Sequence, residues 1–111
     1  MKALSQAVIL CVVSSTASAQ SFACRGATWT LDIGGLQARF VFPSPTQMDI
    51  PSVVVAEGAD WPRAYTLIGD RDTAIVLIHD RACEGGTHET QVFTQRGQSP
   101  ILLSGCCEMR P

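Results

Sequence analysis

The chain has 111 residues, ten acidic against eight basic side chains, and a net charge of −2. That is the length of one small domain, and no basic run is present to serve a nucleic-acid surface. Five cysteines in so short a chain, one of them within an N-terminal apolar run, point to export and a disulfide framework.

The first residues read as a secretory signal. Lys2 is a short positive region, Ala7 to Val13 is apolar, and Ala17-Ser18-Ala19 is a small-residue cleavage site. The apolar run is too short to cross a bilayer, which takes about 20 residues. We therefore expect a signal peptide over 1–19 and one β domain over 20–111, with no transmembrane segment after cleavage and a periplasmic or secreted location. Lipoprotein anchoring is the weaker alternative. Cys11 follows the bulky Leu10, and Cys24 follows Ala23 with Ser21 where an aliphatic residue is usual. Cleavage removes the only lysine, Lys2, and leaves seven arginines against ten acids, a net charge of −3 (7 minus 10). Lysine Schiff-base and general-base chemistry are then excluded.

From Thr28 the pattern alternates strictly. Trp29, Leu31 and Ile33 share one face, and Thr28, Thr30 and Asp32 the other. Gly34-Gly35 suits a two-residue hairpin turn. That turn would set Ile33 against Leu36, Leu31 against Ala38 and Trp29 against Phe40, with Asp32 opposite Gln37 and Thr30 opposite Arg39. Phe42-Pro43-Ser44-Pro45 ends the second strand, since proline cannot donate to a ladder. Met48 to Ile50 is read as a short edge segment, and Ser52 to Ala56 as a separate strand after Pro51. Glu57 to Pro62 is a loop whose Trp61 caps the core in preference to standing exposed as a binding residue.

Tyr65 to Ile68 and Thr73 to Ile78 form a second predicted hairpin around Gly69-Asp70-Arg71-Asp72. A three-residue loop would place Leu67 opposite Ile75 and Tyr65 opposite Leu77. Ala74 to Ile78 is apolar throughout, as in a strand covered on both faces. Asp70 and Asp72 read as a solvated hairpin tip. Thr87 to Gln95 and Pro100 to Cys106 form the third hairpin, turning at Arg96 to Ser99. The fold class is therefore all-β: a small antiparallel barrel or sandwich of seven to eight strands. Pairing of the last strand with the first would close it and bring Cys24 towards Cys106-Cys107.

Four cysteines remain after cleavage: Cys24, Cys83, Cys106 and Cys107. Of their three connectivities, a bond between adjacent Cys106 and Cys107 needs a strained ring and ranks last. Neighbouring strand residues point to opposite faces, so the two can serve separate partners. We favour Cys83–Cys106 with Cys24–Cys107, although little separates it from the exchanged pairing.

No G-x-S-x-G, H-E-x-x-H or phosphate-binding loop is present. The spacing of Cys83, His88, Cys106 and Cys107 is a poor metal motif, and no C-x-x-C supports a redox role. His79 and Asp80 are adjacent strand residues and face apart; His79 reads as a strand-end residue and His88 as a loop-edge residue. No catalytic, cofactor-binding or metal-binding residue is expected.

Phe22-Ala23-Cys24-Arg25-Gly26 with Trp29-Thr30-Leu31, and Cys83 with Leu103-Ser104-Gly105-Cys106-Cys107, resemble an uncharacterised family of small exported bacterial proteins, described as membrane proteins or lipoproteins. The likeness spans most of the chain after the signal, including Trp61-Pro62-Arg63-Ala64 to Ile78. Its most specific part is Cys83 with Gly105-Cys106-Cys107. Members commonly carry Glu-Pro between the Arg-Gly and the tryptophan; here Gly26-Ala27-Thr28-Trp29 lacks it. The resemblance implies a Gram-negative envelope location and an all-β fold, and it carries no activity. Size, export and disulfides also give a fold-level likeness to the small β-barrel inhibitors of c-type lysozyme.

The expectation is a non-enzymatic envelope-associated module that binds a protein of the envelope or a small ligand. The alternatives are a lysozyme-inhibitor-like protein, and a thiol or metal-binding protein using the Cys106-Cys107 region.

Overall fold

The computed structural model describes residues 20–96 and 99–110. The expected signal peptide over 1–19, with Cys11, and the tip of the third hairpin at 97–98 lie outside the described residues. Eight strands follow in chain order: β1 (Ser21–Arg25), β2 (Thr30–Gly34), β3 (Gln37–Val41), β4 (Pro45–Val55), β5 (Arg63–Ile68), β6 (Asp72–Ile78), β7 (His88–Arg96) and β8 (Ser99–Arg110). Each pairs antiparallel with the next, and β8 pairs with β1, so the sheet closes into a barrel. An eight-stranded barrel is just wide enough for side chains to fill it. Phe22, Leu31, Phe40, Met48, Leu67, Val76, Ile78 and Val92 do so, all with almost no exposure. Two buried hydroxyls lie among them and are satisfied across the ladder: Thr90 Oγ1 donates to Leu77 O at 2.8 Å and Thr94 Oγ1 to Thr73 O at 3.2 Å. Both bonds matter, because an unpaired buried hydroxyl is costly.

The first hairpin keeps its expected faces and changes its register. Ile33 pairs with Ala38 and Leu31 with Phe40, so the turn is Gly35-Leu36. Gly35 takes the positive φ, 64°, and Leu36 is 79% exposed. Moving the turn by one residue moves every pairing by two, so Leu31, Ile33, Ala38 and Phe40 stay inward while Leu36, expected inward opposite Ile33, passes into the turn; alternation alone cannot tell the two registers apart. The observed one sets Asp32 directly against Arg39, an opposite-charge pair. It also frees Trp29 from the ladder. Its buried ring packs edge-on to Phe40 at 6.3 Å, and its indole N–H donates to Ser104 O at 3.3 Å.

The segments expected on either side of Pro51 are one strand, β4, ending at Val55. Its pairing with β5 shifts between Asp49 and Ser52, so a bulge absorbs the proline that cannot donate. The second hairpin differs by one residue from the expected register: Leu67 faces Ala74 and Tyr65 faces Val76. That slip exchanges the faces of β6. Ala74, Val76 and Ile78 point inward, and Ile75 stands 44% exposed outside. The strand is therefore not covered on both faces. Asp72 is not part of a solvated tip either; it opens β6 and its side chain is buried, leaving Asp70 and Arg71 exposed. The third hairpin keeps its expected place, with Arg96 opposite Ser99.

Gly105 lies on the inward face of β8 beneath Trp29. A Cβ there would overlap the Arg25 carbonyl oxygen and come within 2.5 Å of Trp29 Cζ2, whereas one on Gly34 would meet nothing within 4 Å. Gly105→Ala is expected to lower the unfolding free energy by about 2–3 kcal/mol, as overpacking against backbone does. Gly34→Ala is expected to change it by less than about 0.5 kcal/mol. Urea unfolding of the two variants beside the parent measures the difference.

Candidate functional site

Three features carry chemistry: a disulfide corner, an aromatic plug and the outer walls of the barrel. At the corner, Cys24 on β1 faces Cys107 on β8 with Cα atoms 3.9 Å apart, and the two are bonded. Cys83 is bonded to Cys106, with Cα atoms 5.9 Å apart. This is the favoured connectivity. Cys107 points inward and is fully buried, while Cys106 turns outward towards the β6–β7 loop. That loop turns tightly: Cys83 N donates to Gly86 O and Gly86 N to Cys83 O, with Gly85 at φ 91°. Gly86 has no room for a Cβ, which would come within 2.6 Å of Cys107 O and 2.7 Å of Cys106 Sγ. All four described cysteines are thus occupied. The sulfur of Cys24 is not free for acylation, and the Cys83, His88, Cys106, Cys107 set does not form one cluster. Among the described residues no group of three or more His, Cys, Asp or Glu side chains is placed to hold a metal ion. Two disulfides in a domain this small suit an oxidising compartment outside the cytoplasm.

The plug closes one end of the barrel. Trp61, in the β4–β5 loop, is half-buried and lies 4.8 Å from the His88 ring and 6.3 Å edge-on from Phe22. Phe22 in turn meets Tyr65 and His88 edge-on. The Arg63 guanidinium stacks 3.9 Å from the Trp61 ring centre and donates to Gln20 Oε1 at 2.6 Å. Trp61 therefore caps the core, as its sequence context suggests. His88 is not a loop-edge residue: it opens β7 and is only 6% exposed. Its Nδ1 shares a hydrogen bond with Thr87 Oγ1 at 2.7 Å, and its Nε2 lies 3.6 Å from Asp80 Oδ1. Sequence reasoning set His79 beside Asp80 and missed this series, because the loop that folds Asp80 back over His88 leaves no periodic signal. His79 follows β6 and bonds Gln91 at 3.0 Å. Carboxylate, imidazole and hydroxyl in series is the order used in nucleophilic catalysis. Here the backbone N–H groups of Gly86 and Thr87 are both engaged, by Cys83 O and Cys107 O, and neither is free to bind an oxyanion.

The outward side chains divide the barrel into two walls. On one, the row from β8 through β1, β2 and β3 to β4 reads Glu108, Ala23, Asp32, Arg39, Gln47. On the other, the central row from β4 to β8 reads Ser52, Thr66, Ile75, Phe93, Leu102. The rows beside it are Val54, Ala64, Leu77, Gln91, Ser104 and Ile68, Thr73, Gln95, Pro100. The last of these rows continues on β4 to the exposed Asp49, opposite Ile68; the other fourteen positions carry no ionisable side chain. Ile75, Phe93 and Ile68 are 44–46% exposed and Leu102 is 66% exposed. A groove of about 290 Å³ runs between Ile68, Ile75 and Phe93 over Thr66 and Thr73. The charged side has its own cleft of about 250 Å³, lined by Arg25, Asp32, Glu108 and Arg110 beside Cys106.

Two experiments follow from the corner and the plug. Replacing Cys24 and Cys107 by serine is expected to cost about 4–5 kcal/mol of stability, and replacing Cys83 and Cys106 about 3–4 kcal/mol, in the chain-entropy model. The first bond encloses 83 residues of separation and the second 23. Denaturant midpoints of the two double variants give the order. Trp61→Ala, which uncovers Phe22 and His88, is expected to cost about 2–3 kcal/mol, short of a fully buried tryptophan; thermal unfolding followed by circular dichroism checks it. No family model, curated protein or solved structure matches the chain.

Proposed function

We propose that this domain is a non-enzymatic binding module of the bacterial cell envelope, exported to the periplasm or beyond, and that it binds through the uncharged wall of β4–β8. The observation that carries this reading is the wall itself. Fourteen adjoining outward positions on five strands hold no ionisable side chain, with Asp49 at their β4 rim, and the most exposed large apolar side chains among them are Leu102, Val54, Ile68, Phe93 and Ile75. Contiguous apolar surface of this kind marks interaction sites, whereas singly scattered apolar residues do not. The disulfides and the resemblance of the Gly105-Cys106-Cys107 region to exported envelope proteins support the location. The alternative that uses the Cys106-Cys107 region for thiol chemistry or metal would first require reduction of both bonds.

A photo-crosslinking amino acid placed at Leu102, and separately at Arg39 on the charged wall, tests the surface in cells that export the protein. Adducts that depend on light are expected from position 102 and not from position 39. Equal labelling from both positions, or none from 102, would overturn the assignment of the wall.

A further inference from the structure

We propose that the Cys83–Cys106 bond is a site of thiol–disulfide exchange. A thiolate of a small dithiol attacks Cys106 Sγ from the cleft on the β1 side, and the release of Cys83 frees the β6–β7 loop while Cys24–Cys107 keeps the barrel closed. The site goes beyond the binding reading and does not depend on the uncharged wall.

The two bonds differ in access. Cys24 is 4% exposed and Cys107 fully buried, so a thiol reaches that bond only when the barrel opens. Cys83 and Cys106 are both half-buried, on the outside of the barrel. Attack runs along the S–S axis, so the reaction depends on which sulfur can be approached from behind. The loop that holds Cys83 lies on the β7 side of β8: it ends at Thr87, whose N–H donates to Cys107 O, and His88 pairs with Cys107. The cleft of about 250 Å³ lies on the other side, over Ala23 and Arg25 of β1 and Asp32 of β2, and it borders Cys106 but not Cys83. A reagent in this cleft meets Cys106 Sγ from the side opposite Cys83.

Charge favours the same approach. Arg25 faces Cys106 directly across the β1–β8 ladder, which sets their Cβ atoms about 5 Å apart. The Arg25 guanidinium is in no ion pair among the described residues. It is available to attract an incoming thiolate, and a cation beside sulfur favours that form. Glu89 faces Cys106 from β7, but its carboxylate is engaged by Arg81 at 3.4 Å. Asp32 and Glu108 sit one row farther along the cleft, on either side of Ala23.

The first thiolate forms a mixed disulfide with Cys106, and Cys83 leaves as a thiolate that takes a proton. The second thiol of the reagent then displaces Cys106 and closes the reagent's own disulfide. Two electrons and two protons pass from the dithiol to the protein. The loop depends on the broken bond. The backbone hydrogen bonds of residues 82–86 run within the loop, between Cys83 and Gly86, and the disulfide is its covalent tie to β8. The same loop brings Asp80 to His88 and Arg81 to Glu89 through exposed ion pairs, which hold it weakly.

The test treats the oxidised, exported protein with dithiothreitol under native conditions, quenches by alkylation and maps the thiols by mass spectrometry. Chains alkylated at Cys83 and Cys106 alone are expected to form about tenfold or more faster than Cys24–Cys107 is lost, with the circular dichroism of the barrel retained. Trypsin is expected to cut these chains after Arg81 about tenfold faster than the oxidised protein. With glutathione as a monothiol, and the released thiol trapped by alkylation, the adduct is expected on Cys106. Arg25→Gln is expected to slow reduction by roughly fivefold at an unchanged urea midpoint, and Arg39→Gln, outside the cleft, to leave the rate as it is. Loss of both bonds together, or unfolding with the first, overturns the exchange site. An adduct on Cys83 overturns the approach from the cleft, as does an Arg25→Gln variant reduced at the parent rate. Unchanged cleavage after Arg81 overturns the release of the loop.

Discussion

The closure of β8 onto β1 is the constraint on which the rest of the molecule depends. β1 has only five residues, and it must hold the start of the domain against the strand at its end. Contacts between chain ends carry the largest loop-closure entropy. The Cys24–Cys107 bond removes much of that cost by joining residues that already face each other in the ladder. The packing beside it assumes the closed seam. Trp29 reaches Ser104 and lies over Gly105, and Gly86 fits beneath the Cys106 sulfur and the Cys107 carbonyl. Phe22, two residues before Cys24, is the ring on which Trp61, Tyr65 and His88 converge. Without the seam both the plug and the corner lose their support.

Closure also explains why the fold was largely legible in the sequence while its registers were less so. Alternation and Gly35 announce the first hairpin, and its inward set is right apart from Leu36, which the shifted turn carries outside. β6 carries no alternation, because Ala74 to Ile78 is apolar at every position, so nothing local says which of Ala74 and Ile75 points inward. Tertiary context decides: Ala74, Val76 and Ile78 fill the interior and Ile75 is left outside. Pro51 marks an interruption in any sequence reading, yet the long β4 takes it up in a bulge without ending. The disulfide pairing was accessible through the opposed faces of Cys106 and Cys107, although spacing alone could not choose between the two arrangements.

The candidate sites were less accessible, because each depends on which strands become neighbours. The Asp80–His88–Thr87 series needs the β6–β7 loop to fold back, and the Cys83–Cys106 bond and the Gly86 contact hold it there. The two walls appear only when outward residues of five successive strands are aligned. Ile75, Phe93 and Leu102 are 18 and 9 residues apart in the chain and become consecutive members of one row. No linear motif contains them.

The arrangement of the two ends bears on the proposed binding surface. Trp61, Phe22 and His88 stack at one end. Phe42 stacks on Phe40, which also meets Trp29, towards the other. Between them the inward side chains are tightly buried. An eight-stranded barrel can hold one small ligand when its interior is left open, but here large aromatic and aliphatic groups occupy that space. In a domain so filled, the binding proposed above falls to its outside. There the two walls offer different chemistry: opposite charges paired across strands on one, and rings and branched aliphatics on the other. Exposing Ile75, Phe93 and Leu102 together costs solubility and adds nothing to the core. Such a surface is consistent with selection for contact, and this argument favours the uncharged wall over the plug as the place where the domain acts.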